Sequence, residues 1–218
     1  MVDHQHWHDR WRENRIGFHE TAVNSHLQNY LPGFDLPPGS KIFVPLCGKA
    51  VDMAWLAEQG YEVIGIEISR IALEAFFAEQ ALDYSCTDSD RFRVYRSGRI
   101  TLLEGDFYDL NAEDLRECVM VYDRASLIAM EAPDRPAYYR HMLSILPAAS
   151  NMLLIALEYD QGEMRGPPFA VSEAEVRRCY EQDFSIRLLE RNSIIDERPR
   201  WRKAGLSAID ELVFRLDR

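Results

Sequence analysis

Short, β-branched apolar runs recur between stretches of helical periodicity, and this alternation constrains the fold more than any other feature of the chain. Lys41 to Leu46, Tyr61 to Ile68, Ile100 to Leu103, Val119 to Tyr122 and Met152 to Leu157 each read as a buried strand. Runs that are apolar on both faces belong to parallel sheets, and parallel neighbours need a long crossover, usually a helix. The chain is therefore expected to be α/β, a mostly parallel sheet with helices on both faces. Hydrophobic residues make up 47% of the sequence, enough for a real core. The strands arrive throughout the 218 residues with no dividing linker, so a single domain over residues 1–218 is expected.

Local signals fill in the rest. Trp7 to Tyr30 reads as helical, interrupted at Gly17, and Leu31 to Ser40 is a connector with three prolines and two glycines. A helix from Lys49 to Gln59 is expected to close at Gly60 in the left-handed conformation. Ser69 can cap a helix running to Gln80. Arg91 to Leu103 alternates around Ser97-Gly98, a hairpin signal whose second arm would be the third parallel strand. Ala137 to Leu146 reads as a helix. Ser172 and Glu175 form a capping box with Val171 and Val176 as its staple, opening a helix to Gln182. Ser185 to Leu189 and Leu212 to Leu216 read as closing strands.

Charge and composition remove several classes of function. The net charge of −11 repels phosphate backbones and argues against a nucleic-acid partner. The short basic patch Arg198 to Lys203 reads as a solvated face or a pocket for one small anion. No apolar run approaches the roughly 18–20 residues of a membrane span, and Met1 to Trp11 lacks the apolar core of a secretory signal. A cytoplasmic monomer with no membrane partner is expected. Cys47, Cys86, Cys118 and Cys179 form no C-x-x-C pair and are expected to be free thiols. His4, His6 and His8 are expected to be a frayed, solvated start rather than a metal site.

In open α/β sheets, ligands bind beyond the carboxyl ends of the strands. Glu67 ends the second strand about 20 residues after a glycine turn, where a carboxylate can accept hydrogen bonds from both hydroxyls of a ribose. The competing reading is a surface acid capping the Ser69 helix. The turn after the first strand, Leu46-Cys47-Gly48-Lys49-Ala50, has one glycine, so the G-x-G-x-x-G cradle for a pyrophosphate is missing. A nucleoside with an amino-acid tail and no phosphate fits better, and S-adenosylmethionine is such a molecule. Cys47 reads as a small turn residue. Trp7 and Trp11, one helical turn apart, read as a stripe packing a helix on the sheet or as a lid. Arg124 is either an ion-pair partner of Asp123 or a two-pronged binder of the cofactor carboxylate.

The stretch from Phe43 to Met53, with Pro-Leu-Cys-Gly-Lys at its centre, and that from Val63 to Ser69 resemble the thiopurine S-methyltransferase family, within the class I S-adenosylmethionine-dependent methyltransferases. Trp7 to Trp11, Gly17-Phe18-His19, Tyr122-Asp123-Arg124 and Gly166 to Phe169 belong to the same pattern, while Pro199 to Lys203 departs from it. The resemblance implies a Rossmann-like seven-stranded sheet whose last strand is antiparallel, preceded by a helical lid over residues 1–30. It implies that Trp11, Leu46, Gly48, Glu67 and Arg124 contact S-adenosylmethionine, that Asp106 and Phe107 flank its adenine, and that Phe18 and Arg198 line the acceptor pocket. It points to a small aromatic or heterocyclic thiol as methyl acceptor, with selenium or tellurium compounds as further candidates. No metal is called for, since a thiol ionises readily and Arg124 or Arg198 could favour the thiolate. Two other readings stay open: a non-enzymatic S-adenosylmethionine-binding module, and an oxidoreductase on a similar sheet.

Overall fold

The computed structural model describes residues 4–197 and 199–218. Nine strands make one mixed sheet, and the chain packs as two compact units. The first runs through Tyr122 and includes Ile145–Pro147; the second takes Asp123–Ser144 and Ala148–Arg218.

The first unit opens with α1 (His4–Arg12) and α2 (Ser25–Tyr30), followed by β1 (Lys41–Val44), α3 (Asp52–Glu58), β2 (Glu62–Glu67), α4 (Arg70–Glu79), β3 (Ser85–Asp88), β4 (Arg93–Ser97) and β5 (Ile100–Glu104). Most of β6 (Cys118–Arg124) completes it. Its strand order is β3-β4-β5-β2-β1-β6. The central strands are parallel, with Phe43 in register with Ile64 on β2 and Val121 on β6. Ile42, Phe43, Ile66, Leu102 and Met120 are fully buried along them, as runs apolar on both faces require. β4 and β3 add an antiparallel edge.

The second unit holds α5 (Arg135–Ile145, all but its last residue), β7 (Asn151–Glu158), α6 (Glu173–Tyr180), β8 (Ser185–Ser193), α7 (Pro199–Lys203) and β9 (Asp210–Asp217). Here β9 lies between β7 and β8 and runs antiparallel to both, so the last strand is antiparallel, as the resemblance implied.

Several local expectations hold with their physical causes. Gly60 ends the α3 segment at φ +92° and Gly98 turns the β4–β5 hairpin at φ +53°, left-handed values that only glycine adopts without steric cost. Ser172 Oγ accepts the Glu175 amide at 3.2 Å, and Val171 and Val176 on either side are fully buried. The reciprocal half of that capping box does not form, because the Glu175 carboxylate meets Arg135 at 2.7 Å instead. Arg135 is 2% exposed, and a buried guanidinium claims a carboxylate more strongly than one backbone amide does.

Other expectations are corrected. The helical stretch from Trp7 to Tyr30 is interrupted around Gly17 as expected, but the gap is wider than one residue. α1 stops at Arg12, Asn14 turns left-handed at φ +53°, and a fresh helix starts where the Asn24 side chain accepts the His26 and Leu27 amides. The N-terminal histidines are not frayed from His4 onward, since His4, His6 and His8 lie in α1. Two strands beyond seven are present. β4 is the first arm of the expected hairpin, whereas β3 is exposed at all four positions and carries no apolar signal. The helix α7, with Trp201 buried, falls in a stretch that had been read only as a basic patch. No described helix is long and apolar enough to cross a membrane.

Candidate functional site

The carboxyl ends of β1 and β2 meet around one carboxylate. Glu67 is the last residue of β2 and is 6% exposed. Its Oε2 accepts the Gly48 amide at 3.0 Å and its Oε1 the Ser69 amide at 2.8 Å. Burial pushes its pKa up from 4.5 to about 7, against the amides of Ser69, Gly48 and Ile68, which pull it down. A carboxylate offers about four lone-pair sites, so these two bonds leave acceptor capacity on each oxygen. The surface-acid reading is half right: Glu67 does hold the amide that opens α4, but from a buried position. Ser69 sits at the cap of α4, yet its hydroxyl makes no capping bond; its amide is the group engaged.

The turn after β1 is shaped by two left-handed residues, Leu46 at φ +43° and Gly48 at φ +53°. A leucine in that region costs about 1–2 kcal/mol, a cost sustained where surrounding contacts over-determine the backbone. Cys47 between them is buried, its amide bonded to the Ile66 carbonyl at 2.9 Å. Burial, followed by the charge of Glu67, raises the Cys47 thiol well above its ordinary value, so it stays protonated and acts as a small packing residue. Gly65 makes that packing possible. A Cβ there would lie 2.8 Å from Cys47 Sγ and 2.9 Å from Leu102 Cδ2. This role was missed in the sequence, although a glycine inside a β-branched strand is a sign of close approach.

Trp11, 6% exposed, lies on the same turn: a Cβ on Gly48 would stand 3.0 Å from its Cζ2. Phe18 packs edge-on against both Trp11, at 5.5 Å between ring centres, and Trp7, at 5.9 Å. Four of the expected residues, Trp11, Leu46, Gly48 and Glu67, thus gather at one bend, with Phe18 one ring further out. Asp52, 2% exposed and not anticipated, helps to hold the segment in between: it accepts the Asn24 amide at 2.8 Å and the Tyr122 hydroxyl at 3.1 Å.

Beyond β5, Asp106 caps a short 3-10 turn by accepting the Tyr108 amide at 2.9 Å, and its other oxygen lies 3.2 Å from His4 Nε2. Phe107 is buried and meets Tyr108 edge-on.

In the second unit the end of β6 has its own buried carboxylate. Asp123 is fully buried, accepting the Tyr138 hydroxyl at 2.8 Å and the Leu127 amide at 3.2 Å. Burial pushes its pKa from 3.8 up to about 6, opposed by Tyr138, Leu127 and Ser126. Arg124 follows it, half-buried, and precedes Ala125 at φ +68°. Arg198, the other arginine singled out in the sequence, lies outside the described residues. The four cysteines are free thiols, and no group of three or more metal-ligating side chains occurs among the described residues.

The sheet with its antiparallel last strand is the fold of the S-adenosylmethionine-dependent methyltransferases. A methyltransferase from Anabaena variabilis superposes with a TM-score of 0.67 at 16% identity, over 100% of this chain and 96% of that one. A 1,6-didemethyltoxoflavin N1-methyltransferase from Burkholderia thailandensis, solved with its substrate and S-adenosylhomocysteine, gives 0.65 at 13% identity, over 98% and 86%. The match in sequence is closer and narrower. Residues 2–218 fit the thiopurine S-methyltransferase family, and the chain belongs to that family. The thiopurine S-methyltransferase of Bordetella petrii is 43% identical over 217 residues, 100% of this chain and 99% of the relative. That of Nitrosomonas eutropha is 45% identical over the same shares. The protein is therefore an S-adenosylmethionine-dependent methyltransferase, and the binding-module and oxidoreductase readings fall away.

Proposed function

We propose that the protein transfers the methyl group of S-adenosylmethionine to the sulfur of a small aromatic or heterocyclic thiol, of thiopurine type, as a monomer in the cytoplasm. The observation that carries this reading is the buried Glu67 carboxylate, held by the Gly48 and Ser69 amides at a bend that lacks the G-x-G-x-x-G cradle of a pyrophosphate site.

The residues present fit the cofactor. The free lone pairs of Glu67 suit the two hydroxyls of a ribose, and the left-handed Leu46–Gly48 turn brings backbone close to it. S-adenosylmethionine supplies a methyl group already activated by its sulfonium. Trp11, resting on Gly48, would exclude water from that face. Arg124 would take the amino-acid carboxylate through its planar fork, and Asp106 and Phe107 would bracket the adenine. Phe18 would form the aromatic wall against the acceptor, and the resemblance makes Arg198 a further candidate for contact with it. Holding a nucleophile in line with the methyl carbon can supply roughly 7–11 kcal/mol of barrier reduction. A thiol needs no strong base for this, since its pKa lies near about 8.5, and an adjacent arginine favours the thiolate.

Methyl transfer from labelled S-adenosylmethionine, assayed across heterocyclic thiols, simple thiols, selenols and tellurium oxyanions, tests the reading. Heterocyclic thiols should be the best acceptors, with selenium and tellurium compounds accepted more slowly. A chain that methylates tellurium oxyanions and leaves every thiol untouched would overturn it.

A further inference from the structure

The cation stacked on the aromatic cluster has no acidic partner among the described residues. Arg10 lies within α1, half-buried, with its guanidinium carbon 5.7 Å from the ring centre of Trp7 and 5.7 Å from that of Phe18. Its Nε donates to the Arg15 carbonyl at 3.2 Å. Neighbouring arginines are all paired: Arg12 with Asp9 at 2.7 Å and Arg15 with Glu13 at 2.5 Å. Arg10 meets no carboxylate among the described residues, in a chain with 36 acidic and 25 basic side chains. Burial, followed by repulsion from Arg15, lowers its pKa, which marks a guanidinium that lacks an anion.

The surroundings say where such an anion would come from. Phe18 touches Trp11, and Trp11 covers Gly48 at the nucleoside turn. Arg10 therefore shares the Phe18 ring with the acceptor as placed above, its Nε used and its two terminal amino groups left as donors. Stacked on two rings, the guanidinium is held flat and loses little freedom on binding. We propose that Arg10 is a specificity-determining residue that binds a negatively charged substituent on the ring of the methyl acceptor, with Trp7 and Phe18 flanking the guanidinium. The inference rests on the acceptor reading above and narrows it to anionic aromatic thiols.

The test compares two isosteric acceptors, 4-mercaptobenzoate and 4-mercaptobenzamide, on the full chain and on Arg10→Ala and Arg10→Lys. The ratio of their kcat/KM values is independent of how much of a variant is folded. The wild type should favour the carboxylate, and Arg10→Ala should lower that ratio about tenfold to a hundredfold, the usual worth of a hydrogen bond to a charged group. Most of the change should appear in KM. Arg10→Lys should fall in between, since it keeps the charge and loses the fork. Affinity for S-adenosylhomocysteine should stay within about twofold. An unchanged ratio in Arg10→Ala, or a wild type that prefers the amide, overturns the role of Arg10 while leaving the thiol reading intact. If the wild type methylates neither thiol, the acceptor reading falls and this inference with it.

Discussion

Glu67 and Asp123 are both buried carboxylates at strand carboxyl ends, one in each compact unit, yet they are satisfied in different ways. Glu67 has backbone amides for partners, from Gly48 and Ser69, with that of Ile68 alongside. Asp123 has side-chain hydroxyls, those of Tyr138 and Ser126, together with the Leu127 and Ser126 amides. In each case burial outweighs the hydrogen bonds and raises the pKa, to about 7 for Glu67 and about 6 for Asp123. The difference lies in what remains available. Asp123 is fully buried and bonded to Tyr138 of α5 and to the turn after Arg124, so its work is internal. Glu67 sits at a bend of strained backbone and holds acceptor capacity that the protein itself does not fill.

The sharpest way to break this contrast is to remove each carboxylate in turn. Asp123→Ala removes the acceptor of a buried amide and of a buried hydroxyl, and each such loss costs roughly 1–3 kcal/mol. A stability loss of about 3 kcal/mol is expected in urea unfolding, with Asp123→Asn losing less than half of it because one oxygen is kept. If Asp123→Ala unfolds at the wild-type midpoint, the carboxylate is not structural.

Glu67→Ala should act mainly on the ligand, weakening S-adenosylhomocysteine by roughly 1.5–3 kcal/mol in calorimetry. The pH dependence sharpens this. With a folded pKa of about 7 against 4.5 for the free group, the native state holds a proton that the unfolded chain has released. The stability contributed by protonated Glu67 is therefore full below about pH 4.5 and lost as pH rises through about 7. Ligand affinity should run the other way, rising from pH 6 to pH 8 as the carboxylate ionises, and proton release should accompany binding near neutrality. A flat profile would remove Glu67 from the ribose site.

The smallest effect is expected at Gly48. Alanine there must adopt φ +53° and places its Cβ 3.0 Å from Trp11. A loss of about 1 kcal/mol in stability is expected from the left-handed backbone, with a parallel drop in cofactor affinity as Trp11 shifts. Wild-type melting and binding in Gly48→Ala would mean that the bend tolerates a side chain and that Trp11 is not seated on it.

Much of this was legible in the residues because the signals are local and strong. β1, β2, β5, β6 and β7 fall within the apolar runs first read as strands, give or take a residue or two. Gly60 and Gly98 mark their turns, because left-handed backbone selects glycine. The gathering of Trp11, Leu46, Gly48 and Glu67 was anticipated by motif resemblance combined with the rule that ligands lie beyond strand ends. What went unread had no local signature. The start of α2 is fixed in part by the Asn24 amide bonding to Asp52, 28 residues away, and no short window of sequence contains both. β3 is polar throughout and forms because β4 offers a partner edge. The capping box at Ser172 lost its second half to Arg135, 40 residues away from Glu175.

The sequence by itself determined the buried strands and the glycine turns, because each follows from side-chain periodicity or from a backbone angle that only certain residues adopt. Only the tertiary structure decided the upward shift of the Glu67 and Asp123 pKa values, the covering of Gly48 by Trp11, and the stacking of Arg10 on Trp7 and Phe18. Those depend on burial and on the charges and rings brought alongside by folding, and electrostatics in a protein is set by neighbours in space rather than neighbours in sequence.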